Sequence, residues 1–416
     1  MKRPLRTCLS PELLWNIVAW INLEADFFAF LDALGSLRGP FEPLWQLGLI
    51  KPRHLLWPTL RVSSTLVVNA VDQGYVEAIL KLHPRVAISA NSFHGVECFL
   101  HPSAETIFAA GLPRLISQER LPSLTLLGSN VGLTNMFESG VSSLTLVDLA
   151  ISTKFRAMVT ADTLRNMIRW LNNASLHTIN LSNWAFDDDV DESMRVELYK
   201  TLFYHPSMVE IELSRCSLPS LGCLPRMRQL SSLRMVRITQ CRLSPKSILG
   251  LAKVVQRAPE LEALNLDMGM INDNSNPIEP NERYLAAFRL LFEAMAQCCV
   301  KYLALDYCGL FDSYWQDLGP LLQCTAIERL SLVENGIGDN GIQSIGRAIQ
   351  TNSSIQFMDL SNNNFSEGGL LTLFDSVKRT NLEKIRMAES DIESFEVQKS
   401  LRNKASMLGL SLEFFD

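Results

Sequence analysis

The chain has 416 residues, 38 Lys and Arg against 44 Asp and Glu for a formal charge of −6, and 47% hydrophobic residues. This composition excludes collagen-like, mucin-like and disordered chains. A mildly acidic chain also lacks the bulk positive field that a general nucleic-acid binder needs, so nucleic acid is not expected as a partner. At about 150 residues per domain the length is that of two to three domains. Nine Cys lie scattered at 8, 98, 216, 223, 241, 298, 299, 308 and 324, with no C-x-x-C pair, and six His form no H-x-x-x-H. Local spacing therefore offers no metal site. The odd count reads as reduced thiols in an intracellular protein, cytoplasmic or nuclear. Lys2, Arg3 and Arg6 precede an apolar stretch at 13–23, but Pro11, Glu12, Asn16 and Asn22 interrupt it and no small-residue cleavage site comes after it. Neither a signal peptide nor a membrane span is expected. The sequons at Asn173, Asn180, Asn352 and Asn364 are then coincidental.

Residues 9–34 predict two helices. Ser10 suits a cap with Pro11 at the first helical position. Leu13, Ile17 and Ile21 share one face, with Leu14 and Val18 beside them. A break at 22–26 precedes a second helix carrying Phe27, Phe30, Leu31 and Leu34, and LLWPTL comes next at 55–60. This pattern resembles an F-box: Leu9, Pro11, Glu12, Leu13 and Leu14, a spaced Ile17, Asp26 and Phe27 opening the second helix, and a late Leu56-Trp57. It departs from the F-box in two ways. Pro11 sits one place late, after Ser10, and a stretch with Gly39, Pro40 and Pro43 stands where Val-Cys-x-x-Trp is usual. The resemblance implies an F-box-like helical segment at 1–65. It implies docking to a Skp-type adaptor of a cullin–RING ubiquitin ligase through Leu9, Pro11, Leu13, Leu14, Ile17 and Trp57. The plainer alternative is a helical cap covering the first repeat.

Residues 66–143 hold strand-like pieces at 84–89 and 123–129 and read as degenerate repeats or an N-terminal cap. From 144 to 416 the chain is self-similar. The segments 327–354 and 355–381 both fit L-x-x-L-x-L-x-x-N-x-L, then Gly, then apolar residues four apart. The first apolar position falls at Leu144, Leu176, Met208, Leu233, Leu261, Val300, Ile327, Ile355 and Leu382. This is a leucine-rich repeat, and the steps of 27 and 28 with a full helical second half resemble the ribonuclease-inhibitor-like subclass. With the LWPTL-type segment ahead of it, the whole resembles an oomycete-type family of F-box and leucine-rich-repeat proteins. The expected fold class is α/β, a solenoid with parallel strands on the concave side and helices on the convex side. Predicted strands lie near 144–149, 176–181, 208–213, 233–238, 261–266, 300–305, 327–332, 355–360 and 382–387. A helix near 393–407 and a strand at 410–415 close the array.

Within a unit the leucines alternate on the buried strand face. The Asn slot, held by Asn335 and Asn363 and elsewhere by Cys216, Cys241 and Cys308, satisfies loop backbone groups. Ser331, one place beyond buried Leu330, is expected to point outward and to tolerate a charge. The insertion at 270–284 is expected as an exposed rim loop. His177 and His205 are expected to finish hydrogen bonds. The acidic run Asp187, Asp188, Asp189, Asp191 and Glu192 reads as a solvated helix start.

No phosphate loop, dinucleotide fingerprint, metalloprotease motif or nucleophile elbow occurs, so neither enzyme chemistry nor a cofactor is expected. The expected function is protein interaction. Partners of such solenoids meet outward strand positions, here Asp148, Asn180, Glu212, Arg237, Asn265, Ala304, Ser331, Asp359 and Arg386, with flanking Arg234, Tyr302, Tyr307, Arg329 and Phe357. Tyr and Arg are frequent interface anchors. Tyr302, Tyr307, Arg329 and Phe357, with Arg234 and Arg237, are therefore the candidate protein-binding face. The leading expectation is a ligase substrate receptor. Alternatives are a free-standing repeat scaffold and a GTPase-activating repeat protein. The last would carry a long acidic tail, where this chain ends on EFFD.

Overall fold

A computed structural model describes residues 14, 17–18, 20–21, 23–62, 66, 70–83, 85–89, 105–109, 123–127, 148–225, 231–268, 282–378, 380–392 and 394–415. The chain divides into two compact units, 1–155 with 173–176, and 156–172 with 177–416. Each is taken by itself.

The first unit opens on helical Leu14, Ile17 and Val18, then α1 (Glu24–Leu34), α2 (Glu42–Ile50), β1 (Leu60–Val62) and α3 (Ala70–Leu80). Parallel strands β2 (Arg85–Ser89), β3 (Glu105–Ala109) and β4 (Ser123–Leu127) come next, and β5 (Asp148–Val159) pairs with β4. The repeat-like pieces thus contain strands, at 85–89 and 123–127, while β1 and β3 carry too little pattern to be seen in the sequence. The core is aromatic. Trp57 stacks on Phe27 with centroids 4.0 Å apart, and its Nε1 donates to the Ile21 carbonyl at 2.7 Å. Phe28 lies against Gly48, where a Cβ would stand 2.2 Å from its ring. The buried face of the first helix differs from expectation. Leu14 and Val18 are interior whereas Ile17 is 38% exposed, because with about 100° per residue the adjacent i, i+4 pair takes the inward stripe. Leu9, Pro11 and Leu13 lie outside the described residues.

The second unit repeats one motif. Its strands are β6 (Thr178–Phe186), β7 (Glu210–Ser214), β8 (Met235–Thr239), β9 (Ala263–Asp267), β10 (Tyr302–Asp306), β11 (Arg329–Ser331), β12 (Phe357–Asp359), β13 (Lys384–Ala388) and β14 (Ser411–Phe415). Each pairs in parallel with the next. The helices are α4 (Ala161–Asn173), α5 (Glu192–Phe203), α6 (Pro245–Val255), α7 (Glu282–Met295), α8 (Asp312–Leu322), α9 (Asp339–Thr351), α10 (Glu367–Val377) and α11 (Phe395–Met407).

Each paired strand begins about two residues after the first leucine of its repeat, later than expected. The reason lies in the hydrogen bonds. Val209 and Glu210 N–H both donate to His177 O, and Gln356 and Phe357 N–H both donate to Glu328 O. The apolar residue before each pair, Met208 or Ile355, is fully buried below the ladder. The first predicted strand, 144–149, is instead β5 from Asp148 onward, and 144–147 lie outside the described residues. The last three residues of the 270–284 insertion, expected as loop, are helical. Glu282, Arg283 and Tyr284 already belong to α7, with Tyr284 Oη donating to Leu243 O at 3.0 Å, and 270–281 lie outside the described residues.

The Asn and Cys slots carry the stacking. Asn335 Nδ2 donates to Leu305 O at 2.7 Å, and its Oδ1 accepts from Cys308 N and Leu310 N, both at 3.1 Å. In the cysteine slots the thiol does part of this work. Cys241 Sγ donates to Leu213 O and accepts from Cys216 N at 3.2 Å. A second set of bridges sits where helices return to strands: His205 Nε2 meets Leu171 O at 2.9 Å and Asn352 Nδ2 donates to Leu322 O at 2.9 Å. Asn352 is interior, so its sequon offers no accessible nitrogen. Asp191 caps α5 by accepting from Met194 N at 2.8 Å. That bond holds its carboxyl below the ordinary value.

Candidate binding face

Alternation along each strand of the second unit sends one set of side chains into the core and the other outward. Register then aligns the outward set in rows. Across the N-terminal ends of the strands the row runs Ala263, Tyr302, Arg329, Phe357, Lys384 and Ser411. The middle row runs Asn180, Glu212, Arg237, Asn265, Ala304, Ser331, Asp359, Arg386 and Glu413, as the spacing predicts.

The first row brings Tyr302, Arg329 and Phe357 together on three adjacent strands. Arg329 Cζ lies 4.8 Å from the Phe357 ring centroid, Arg386 Cζ 5.7 Å and Lys384 Nζ 5.9 Å, so three cations from the two neighbouring strands surround one aromatic ring. Such contacts are electrostatically favourable because the ring face is negative. Arg386 also lies 5.4 Å from the Phe415 ring. The Tyr302 phenol is pushed up, chiefly by burial and then by Asp306, against the opposing pull of Arg329 and Arg237. Lys384 and Phe415 were not singled out in the sequence, although both lie at outward positions of strands it predicts, at 382–387 and 410–415.

Two candidate residues stand elsewhere. Tyr307 lies just past the end of β10 with φ +55°, at the opposite end of the strand from Tyr302, about 16 Å away at roughly 3.3 Å per residue. Arg234 precedes β8 and pairs with Glu260 at 3.4 Å, at the turn rather than on the strand face. In both cases the outward alternation stops where the paired strand stops. Arg237 is on the face and pairs with Glu212 at 3.6 Å.

The middle row is less open than alternation implies. Ala304, Ser331 and Asp359 are all buried. They are small side chains two residues from Tyr302, Arg329 or Phe357 in their own strands, and at about 4.8 Å between strands the larger neighbours overgrow them. Ser331 Oγ donates to Asp306 Oδ1 at 2.7 Å, and Val333 N donates to the same oxygen at 2.9 Å. Asp306 is nonetheless pushed up, by burial first and also by Asp359 and Asp267. Asp391 is raised by burial and by Asp359 and Glu334. The C-terminal ends of these strands are thus strongly anionic. Among the described residues no three His, Cys, Asp or Glu side chains are placed to hold a metal ion.

In the first unit, Leu14 and Trp57 belong to the unit's own core and present little surface. The exposed large apolar residues described there are others: Ile17, Trp20 at 87%, Leu23, Leu37, Leu49 and Ile50. Among the described residues no helix is long and apolar enough to cross a membrane.

No protein-family model matches the chain. Over 204 residues, 47% of the chain, it is 26% identical to NACHT, LRR and PYD domains-containing protein 14 of Homo sapiens, covering 15% of that protein. Over 153 residues, 35% of the chain, it is 28% identical to NACHT, LRR and PYD domains-containing protein 12 of Mus musculus, covering 13%. The chain therefore spans only a small part, 15% or less, of the length of these curated relatives. Among solved structures, the leucine-rich repeat-containing protein LegL7 from Legionella pneumophila matches 79% of this chain and 90% of its own at 13% identity and a TM-score of 0.39. The repeating strand–slot–helix ladder makes the second unit a leucine-rich-repeat array, and the curated relatives carry LRR in their names.

Proposed function

We propose that this leucine-rich-repeat chain is a protein-interaction module without enzymatic chemistry or cofactor, and that the strand face of its second unit carries the protein ligand. The observation that supports this is the row of Tyr302, Arg329, Phe357 and Lys384 on consecutive strands in register. Tyr and Arg are residue types that dominate interface energetics, and parallel strands hold them rigidly. The test is to identify the partner by proximity labelling of the full chain and then to measure its affinity for Phe357→Ala and Arg329→Ala. Losses of about tenfold or more are expected. Unchanged affinity in both, with melting temperatures intact, would move the site to the insertion at 270–281 or to the helices.

The finer reading is a substrate receptor, in which the F-box-like first unit docks a Skp-type adaptor of a cullin–RING ligase. It is supported by the apolar surface of that unit, where Trp20 is 87% and Leu23 65% exposed. Exposed apolar patches mark interaction sites. In this reading Leu14 and Trp57 build the unit, and Ile17 with Trp20 meets the adaptor. Full-length chain should capture a purified Skp-type adaptor and Trp20→Asp should not. Absence of capture by the unmodified chain would leave the free-standing scaffold. Among the described residues the cysteines form no disulfide, which suits an intracellular site, cytoplasmic or nuclear.

A further inference from the structure

We infer that the strand face of the second unit takes a protein segment of fixed charge polarity, with an acidic side chain on Arg329 and Arg386 beside Phe357 and a basic side chain against Asp306 at the other end of the strands. This rests on the strand face being the ligand surface and says which segment it selects.

The cationic end is only partly neutralised. Lys384 is occupied by Glu413 at 2.6 Å. Arg386 meets Asp359 Oδ2 at 3.8 Å, at the long end of ion-pair distance. Arg329 has no carboxylate within ion-pair distance among the described residues and is held in place by the Phe357 ring. A guanidinium carries five N–H donors in a planar fork that matches a carboxylate. Arg329 and Arg386 flank one ring from the strands on either side, so a carboxylate seated over Phe357 lies within reach of both.

The other end has the opposite sign. Asp306, Asp391 and Glu334 form no ion pair among the described residues, and Asp306 stands beside Asp267 in register. On the strand next to β10, Asn265 keeps a buried Oδ1 with no hydrogen-bond partner. A buried acceptor without a donor is costly, and a ligand ammonium or guanidinium would supply one two residues from Asp267. Negative potential at Asp306 excludes an acidic side chain there, just as Arg329 excludes a basic one at its own end. The two ends lie four residues apart along the strands, about 13 Å at roughly 3.3 Å per residue. An extended ligand covers that distance in about four residues.

The experiment is panning of a phage-displayed library of random peptides on the full chain, followed by titration of the enriched peptide against variants. Enriched sequences should pair an Asp or Glu with a Lys or Arg about four positions away, always in the same order. Binding of the synthetic peptide should weaken about tenfold or more in Arg329→Gln and in Asp306→Asn. It should fall with added salt and stay unchanged in Arg165→Gln on α4. A cooperative melt well above the assay temperature establishes that each variant folds. Enriched peptides without the charge pair, no enrichment, or equal binding by Arg329→Gln and Asp306→Asn would overturn the inference. If such peptides still lose binding in Phe357→Ala, the strand face remains the ligand surface and only the polarity falls. If Phe357→Ala also binds normally, both fall.

Discussion

Asn363 and Asn335 form one relay: the Oδ1 of Asn363 accepts the backbone N–H of Asn335 at 3.1 Å, and the Oδ1 of Asn335 accepts that of Cys308, also at 3.1 Å. A side chain from each repeat thus closes the turn of the repeat before it. The stack holds together through these buried amides as well as through its leucines.

Asn335→Ala should cost about 3 kcal/mol or more, because it strands the Cys308 and Leu310 amides and the Leu305 carbonyl in the interior, at roughly 1–3 kcal/mol for each unsatisfied group. Asn335→Cys should cost clearly less. A thiol in the Cys241 slot both donates and accepts there. Urea unfolding of the two variants compares them; equal midpoints would mean that the relay contributes nothing.

Leu330→Asp should unfold the repeat unit, since a lone buried charge costs several kcal/mol against a typical domain stability of about 5–15 kcal/mol. Ser331→Asp was expected from alternation to be silent. The structure revises this to a loss of about 1–3 kcal/mol, because Ser331 is buried and bonded to Asp306, and a second carboxylate there is a like charge. Thermal melts decide between the two expectations.

Asp306 is raised by burial, so the folded state binds its proton more tightly than the unfolded chain, whose value is about 3.9. Its contribution to stability is fully present below that value and is lost as pH rises through the higher folded one. Asp306→Asn should therefore be more stable than the parent near pH 7, with the difference vanishing below about pH 4. Urea midpoints across pH 3.5 to 7 test this. A constant difference would assign the effect to something other than ionisation.

Gly250 lies where α6 meets the 3-10 turn at Leu221–Cys223, and a Cβ there would stand 2.3 Å from the Leu221 carbonyl oxygen. Gly250→Ala should lose about 1–3 kcal/mol through forced backbone movement. Gly74, in α3, has nothing within 4 Å of such a Cβ. Gly74→Ala should gain about 0.5–1 kcal/mol by removing unfolded-state freedom. Melting temperatures moving in the same direction for both would refute the steric argument.

The sequence alone determined the repeat and its consequences. A leucine at every second strand position, an Asn or Cys at the turn and apolar residues four apart arise from backbone geometry that is the same in every unit, so period and slot are local facts. They placed β7 to β14, the middle outward row, the helix start at the acidic run 187–192 and the bonding role of His205. Tertiary structure decided what depends on the neighbour. It turned Leu14 and Trp57 inward in a unit with no internal period to reveal a face. It buried Ser331 and Asp359 beneath larger side chains two residues away. It set Tyr307 and Arg234 beyond the ends of the paired strands, where alternation no longer dictates direction. It also gathered Arg329, Lys384 and Arg386 around Phe357. Charges on different strands become neighbours only when register sets Arg329 opposite Phe357 and Phe357 opposite Lys384, and no residue carries that register by itself.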